Sequence, residues 1–406
     1  MCIFFSKPGL ILLMESLDKV LFFHQTSIVG GATKSGSFII KALNNIDVYC
    51  SLAYRSSEKG KLKDFFSSNA VQIDKYIDLG NNIQPFYHYN GNHHNIFSLQ
   101  FIKSILFIFK SVPKIYKLIK KESPDLIIIN SVTLFWISLL VNNSKAKKVC
   151  WVRETLPKEG KGFRSEFIQY IVSKYCHKIV FISKYDLSKF KSPHNKKTLI
   201  YNPNKFEKFS LKNYDLLNKK NKFLFLGGIN ELKGTFFLLQ AFSIALSYKQ
   251  DLKLIIGGVF SQSRRQKLSK YESKCLRLIQ DINKEHANSI VLKESNHDVS
   301  QSYKETDYSI FCPSQIHQSR TIFESANYFK PVLIPSLPNL KEFSNIKGVF
   351  TFKNKDQESL ANLILDLSNL KYNISKNELI SFKDEMVDMH STSNFQKSFL
   401  KLLDEI

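Results

Sequence analysis

The segment from Ser309 to Phe343, SIFCPSQIHQSRTIFESANYFKPVLIPSLPNLKEF, restricts the fold more than any other part of the chain. Ile310 and Phe311 form a short apolar run that reads as a buried strand ending at Cys312-Pro313-Ser314. After a polar loop, a helix opens near Arg320-Thr321 and carries Glu324. Lys330-Pro331 ends it, because proline donates no N–H and disfavours helix in the residue before it. Val332-Leu333-Ile334 then begins a second strand. Two strands joined through a helix pair in parallel, which sets loop, helix amino end and acid at the carboxyl edge of a sheet. Backbone N–H groups and the helix dipole favour phosphate there, so the segment reads as a nucleotide site.

The same alternation runs along the whole chain. Strands are expected at Val20–His24, Asp47–Leu52, Leu126–Asn130, Lys148–Val152 and Lys178–Ser183, with a weaker element over 71–79. Helices are expected through Phe38–Leu43 after a loop QTSIVGGATKSG, over Ile96–Lys121, near 131–143 and near 163–175. A polar linker follows Tyr201-Asn202-Pro203. A second series starts at Phe223–Leu226 and continues through Lys253–Gly257, Ile290–Leu292, the Ser309 and Val332 strands and Val349–Phe352. Its helices fall at 234–248, 264–286, 299–305, 356–370 and 394–405. The pattern predicts an α/β protein of two Rossmann-like, doubly wound parallel-sheet domains facing across a cleft. The expected divisions are 1–205 (1–18 an extension ahead of the first strand), a linker over 206–222, and a second domain over 223–380. The last segment, 381–406, is a helix able to return to the first domain.

At 406 residues, 43% apolar and 23% charged, the chain can bury two cores and is not of disordered composition. Cys2, Cys50, Cys150, Cys176, Cys275 and Cys312 show no C-x-x-C spacing, which favours buried thiols over zinc ligands or disulfides, and no metal is expected. No apolar run reaches bilayer length, and MCIFFSKPGLILL lacks the charged start of a signal peptide, so a cytoplasmic location is expected. The net charge of +23 is uneven: residues 1–210 hold 31 Lys+Arg against 14 Asp+Glu, whereas residues 211–406 hold 27 against 21. That asymmetry points to an anionic partner of the first half, unless a Lys- and Asn-rich composition alone produces it.

Two constellations lie in the second half. In FLFLGGINELKGT, Gly227-Gly228 end an apolar strand and allow close backbone approach, while Lys233 sits before a helix starting near Gly234. An ammonium beside a positive helix terminus calls for an anion such as a diphosphate; the plain alternative is a turn with a solvated lysine. Glu324, with Ser319, Arg320 and Thr321 ahead of it, can accept hydrogen bonds from a ribose diol. Alternatively it complements the helix dipole.

Together these segments resemble the group 1 glycosyltransferases, the retaining family 4 of the GT-B fold. The resemblance rests on Gly227–Gly234 (G-G-I-x-x-x-K-G) and Ser319–Leu333 (S-R-T-I-F-E-S-A-x-x-x-K-P-V-L), and it covers roughly residues 200–345. Tyr201-Asn202-Pro203 matches the family's P-N turn with the order reversed. The resemblance implies a donor site in which Lys233 binds the diphosphate and Glu324 the ribose. Gly227, Gly228, Ser319, Arg320 and Thr321 would lie along the phosphates. It also implies a UDP- or GDP-type sugar as substrate, no separate cofactor or metal, and front-face departure of the nucleotide. Two positions depart from the family: Ile316 stands where the Glu-x7-Glu motif has its first acid, and Gly228 where an arginine often follows the first glycine.

In the first half, Gly30-Gly31 fits the glycine loop such enzymes bring to the donor, or a plain turn. Arg153 and Glu154 close the strand WVRET at its carboxyl end and are candidates for catalytic contact with the sugar; a salt bridge between them is the competing reading. His24, His93 and His94 are left without a role, and no general base is assigned. Lys103, Lys110, Lys114, Lys117 and Lys121 form a basic stripe on the helix over 96–121, among Phe101, Ile105, Phe109 and Ile115, with Pro113 expected to kink or restart it. Such a helix can lie on an anionic membrane surface or pack on the sheet with a solvated face.

The expected activity is transfer of a sugar from a nucleotide-diphosphate donor to a lipid-linked or saccharide acceptor in surface polysaccharide assembly, peripherally at the inner face of the plasma membrane. Acceptor binding would fall to the first domain and donor binding to the second. A basic nucleic-acid-binding protein is the alternative of another class, disfavoured because aromatics do not interleave with the basic runs. A GT-B protein without catalysis is kept open by Ile316.

Overall fold

A computed structural model describes residues 17–56, 61–141, 145–207, 221–259, 268–294, 299–316, 320–372 and 374–406. The expected extension before residue 17, most of the linker (208–220) and Ser319 fall outside the described residues. The chain divides into two compact units, residues 1–203 with 392–406, and residues 204–391.

In the first unit β1 (Lys19–His24), α1 (Gly31–Asn44), β2 (Tyr49–Tyr54), α2 (Leu62–Ser68) and β3 (Lys75–Asp78) follow one another. A short antiparallel hairpin, β4 (His88–Tyr89) and β5 (Asn92–His93), precedes α3 (Leu99–Glu122). Then come β6 (Leu126–Ile129), β7 (Lys147–Val152), α4 (Phe163–Tyr175), β8 (Lys178–Phe181), α5 (Lys184–Lys189) and β9 (Lys197–Leu199). Seven strands form one parallel sheet in the order β3-β2-β1-β6-β7-β8-β9. Apolar clusters lie on both of its faces, which is why β6 reads LIII with every residue buried rather than alternating.

The second unit repeats the plan with β10 (Lys222–Phe225), α6 (Thr235–Tyr248), β11 (Lys253–Val259), α7 (Lys270–Glu285), β12 (Ile290–Glu294), α8 (Ser300–Lys304) and β13 (Tyr308–Ile310). It ends with α9 (Thr321–Asn327), β14 (Val332–Pro335), β15 (Val349–Phe352), α10 (Gln357–Ser368) and α11 (Lys376–His390). Its six strands are parallel in the order β12-β11-β10-β13-β14-β15. Ser269/Glu272 and Ser375/Glu378 form capping boxes that start α7 and α11 by satisfying otherwise orphaned N–H groups. The last helix, α12 (Thr392–Asp404), returns to the first unit and buries Phe395, Phe399 and Leu402 in its core. The chain therefore leaves the second unit at 391/392, not 380/381, because α11 packs on α9.

Several local expectations change. The loop expected over 25–36 is helical from Gly31, and Gly36 faces inward, where an added Cβ would lie 3.1 Å from Asn130 Nδ2. The helix expected near 131–143 is a 3-10 stretch, Val132–Val141, broken at Leu134. Ser131 Oγ takes the Thr133 N–H and competes with regular helix at its start. Helix α3 runs through Pro113 without restarting; Pro113 lies on the exposed side, where water can serve the carbonyl left without a donor.

Candidate functional site

The second unit assembles its candidate site from two loops, at the carboxyl ends of β10 and β13. Past β10, Gly228 has φ +59, and an added Cβ would stand 2.7 Å from Gly258 O. Any side chain at this position would need the β11 end to move. Gly234 has φ +79 and caps α6; there an added Cβ would fall 2.0 Å from Cys312 O. Only glycine allows the β10–α6 turn to press on the end of β13. Ser314 N donates to Leu232 O at 3.1 Å, and Cys312 Sγ lies 3.7 Å from Lys233 O, so the two loops are stitched together.

Lys233 is thereby fixed two residues ahead of the 14-residue helix α6, next to its N-cap Gly234, with its N–H on Asn230 Oδ1 at 3.2 Å. Burial pushes its ammonium pKa down from 10.5 to about 8. An anion at this helix start would return the charge that burial disfavours. On α9, Arg320 occupies the N-cap position and Thr321 the first turn. The Arg320 guanidinium turns back along the helix, donating to Glu324 Oε1 at 3.0 Å and to Asn204 Oδ1 at 3.0 Å, and stacks over Phe323. Glu324 is thus held by a partly buried ion pair. Ile316 is half-buried at the end of the β13 loop and supplies no acid.

The first unit gathers different chemistry at the carboxyl edge of its sheet. Asn130, just past β6, is the hub. Its Oδ1 accepts from Arg153 Nε at 2.9 Å and Arg153 Nη2 at 2.7 Å, and its Nδ2 faces His24 Nδ1 at 3.0 Å. His24 Nδ1 is therefore the acceptor, and its Nε2–H donates to Thr33 Oγ1 at 3.1 Å, which passes a hydrogen bond to Ile28 O. Burial, then Arg153, lowers the His24 pKa to about 3, so the ring is neutral. Arg153 also donates to Asn202 Oδ1 at 2.9 Å, giving the Tyr201-Asn202-Pro203 turn a contact. Burial lowers Arg153 to about 10.

Glu154 parts from Arg153: it accepts from Ser131 Oγ at 2.6 Å and Val132 N at 3.2 Å. Burial raises its carboxyl from 4.5 to about 7, partly opposed by these bonds. Arg153 and Glu154 are thus half-buried members of separate hydrogen-bond networks and not a surface salt bridge. Gly30 and Gly31 cap and open α1 beside this edge, and an added Cβ at either would meet nothing within 4 Å. The sequence reading passed over Asn130, Ser131 and Arg55, although a polar pair ending the LIII strand and an arginine ending YCSLAY were visible signals.

The expected membrane-facing lysines Lys103, Lys110, Lys114, Lys117 and Lys121 are all exposed on α3, and Lys114 Nζ also reaches Asn82 Oδ1 at 2.7 Å. Ile115 is buried and Phe101 and Ile105 half-buried, whereas Phe109 is 69% exposed. Cys50, Cys150, Cys176, Cys275 and Cys312 are buried free thiols. Among the described residues no helix is long and apolar enough to cross a membrane.

Two parallel-sheet α/β units of this kind define the GT-B fold. It is shared over nearly the whole chain with Anabaena HepE, solved in complex with UDP and glucose (TM-score 0.72, 13% identity, 96% of this chain and 100% of that one). A glycosyltransferase of Rickettsia africae matches with TM-score 0.69, 15% identity, and 96% and 98% coverage. A mutant of S. aureus TarM in complex with fondaparinux, α-GlcNAc-glycerol and UDP matches with TM-score 0.69, 11% identity, and 95% and 100% coverage. No curated protein matches the sequence. Residues 207–382, which lie within the second unit, match the family described as glycosyl transferases group 1.

Proposed function

We propose that this protein transfers a glycosyl group from a nucleotide-diphosphate sugar, of UDP or GDP type, to a lipid-linked or saccharide acceptor in surface polysaccharide assembly, with retention at the anomeric carbon. The observation that carries the reading is Lys233, a lysine with a lowered pKa fixed at the start of α6 by the close packing of Gly234 on Cys312, inside the segment that matches the family. In the reaction the donor C1–O bond breaks and the acceptor oxygen bonds to C1. The acceptor proton passes to the departing diphosphate, whose charge the Lys233 ammonium and the α6 amino end stabilise. Glu324, oriented by Arg320, would take the ribose hydroxyls. The UDP bound in HepE and TarM supports a uridine donor.

A peripheral membrane location is part of this reading. Leu99, Ile102, Leu106 and Phe109 run along one exposed stripe of α3, Leu99 being 73% exposed, and the lysines flank it. Phe97 just before the helix is 87% exposed, and Phe163 at the start of α4 is 83% exposed. The only acid in α3, Glu122, is buried and paired with Lys19 and Lys75. Apolar side chains amid exposed ammonium groups suit an anionic lipid interface, each lysine contributing about 1 kcal/mol near the surface.

The test is a thermal-shift series of nucleotides and nucleotide sugars on the unaltered protein and on Lys233→Ala and Glu324→Ala, paired with UDP or GDP release from the sugar nucleotides. Stabilisation by one nucleotide that both substitutions weaken is expected. Stabilisation without any glycosyl release or transfer would instead support the non-catalytic reading. No stabilisation by any nucleotide defeats the proposal.

A further inference from the structure

The first unit holds a cavity of about 820 Å3 that the donor chemistry does not use. It lies over the carboxyl edge of the seven-stranded sheet, among the residues that follow β1 (Gln25), β2 (Arg55) and β7 (Glu154), with Tyr87 and Tyr89 as walls. Its size suits an oligosaccharide end better than a single small ion. The lining supplies the three things a sugar needs. Two phenol rings give apolar faces for pyranose C–H groups. Glu154, and Gln25 Oε1, which is buried without a hydrogen-bond partner among the described residues, accept from hydroxyls. Arg55 gives a planar fork of five donors, of which one is used among the described residues, on Tyr87 Oη at 3.2 Å.

Arg55 is the informative group. Among the described residues it has no carboxylate within ion-pair distance, although it lines a partly enclosed cavity. A guanidinium in such a place matches a carboxylate or phosphate bidentately. The surrounding half of the chain carries 31 basic against 14 acidic residues, so its field favours the same ligand sign. We infer that this cavity is an acceptor subsite for an anionic saccharide, one bearing a carboxylate or a phosphate, with Arg55 on the anionic group, the Tyr87 and Tyr89 rings on the sugar and Glu154 on a hydroxyl.

The inference deepens the transferase reading and rests on it for the word acceptor, but the binding can be measured alone. Methyl β-glucuronide, a methyl glucoside phosphate and uncharged methyl glucoside serve as probes, with saturation-transfer NMR on the full chain and on Arg55→Met and Arg55→Lys. The unaltered protein should bind a charged probe at least about tenfold more tightly than the neutral one, and Arg55→Met should abolish that preference. Arg55→Lys should keep part of it. Which charged probe is preferred separates a uronate from a phosphate ligand. Where transfer is measurable, Arg55→Met should raise KM for the charged acceptor and leave UDP stabilisation of the protein unchanged. Equal binding of charged and neutral probes, or a preference that survives Arg55→Met, overturns the inference whatever becomes of the donor site. Loss of UDP stabilisation in the unaltered protein, with the charge preference intact, would sink the donor reading alone.

Discussion

Raising the pH should loosen nucleotide binding through one side chain. Burial holds the Lys233 ammonium at about 8 in the free protein, below the ordinary 10.5. A diphosphate beside it supplies counter-charge, so in the complex the pKa returns toward the ordinary value and binding takes up a proton wherever the pH exceeds about 8. With those two values, free protein carrying the charge falls from about nine-tenths at pH 7 to about one-tenth at pH 9, while the complex stays charged. The apparent affinity for UDP should therefore fall about tenfold over that interval, or ~1.4 kcal/mol. Isothermal titration calorimetry at both pH values, in two buffers of different ionisation enthalpy, reads affinity and proton uptake together. Lys233→Met should bind weakly and lose both effects. Because ionisation of the base is common to the two proteins, an equal pH slope in Lys233→Met would refute the argument.

Three further outcomes are expected. Glu154 has its folded carboxyl raised to about 7 from 4.5, so its stabilising contribution is full below 4.5 and is lost as the pH climbs through 7. Thermal melts should show Glu154→Gln gaining on the unaltered protein between pH 5 and pH 8, by at most about 3 kcal/mol; a pH-independent difference would contradict it. Gly234→Ala should cost roughly 3 kcal/mol, from left-handed backbone strain and from a Cβ placed 2.0 Å from Cys312 O, and should lower the melting temperature and nucleotide binding together. Sedimentation with vesicles should recover the protein with anionic but not with neutral lipid, and Leu106→Glu with Phe109→Glu should abolish recovery without changing the UDP-induced thermal shift.

Much of the fold was legible because strands covered on both faces are short apolar runs, and this chain separates them with polar turns. The β10–α6 turn and the β13–α9 segment were legible for a second reason: Gly227, Gly228, Gly234, Pro313 and Pro331 mark where strands and helices stop. Elements with little apolar pattern escaped, among them α2, α5 and the first turns of α11; α11 is held by its capping box and its packing on α9. The 3-10 stretch after β6 looked helical because its apolar residues point every way, which signals burial but not the type of turn.

The sequence by itself determined the two parallel sheets, the glycine-dependent turns and the placing of Lys233 and Glu324 at the starts of helices that follow strands, since backbone conformation and local spacing suffice for these. Tertiary structure alone decided that Asn130 joins His24 to Arg153, that Arg153 reaches Asn202 while Glu154 turns to Ser131, and that Arg55 and Tyr87 share a cavity with Glu154. Those partners come from separate strands, brought together only when the sheet forms. Their charges and hydrogen bonds depend on desolvation that no local stretch of chain can supply.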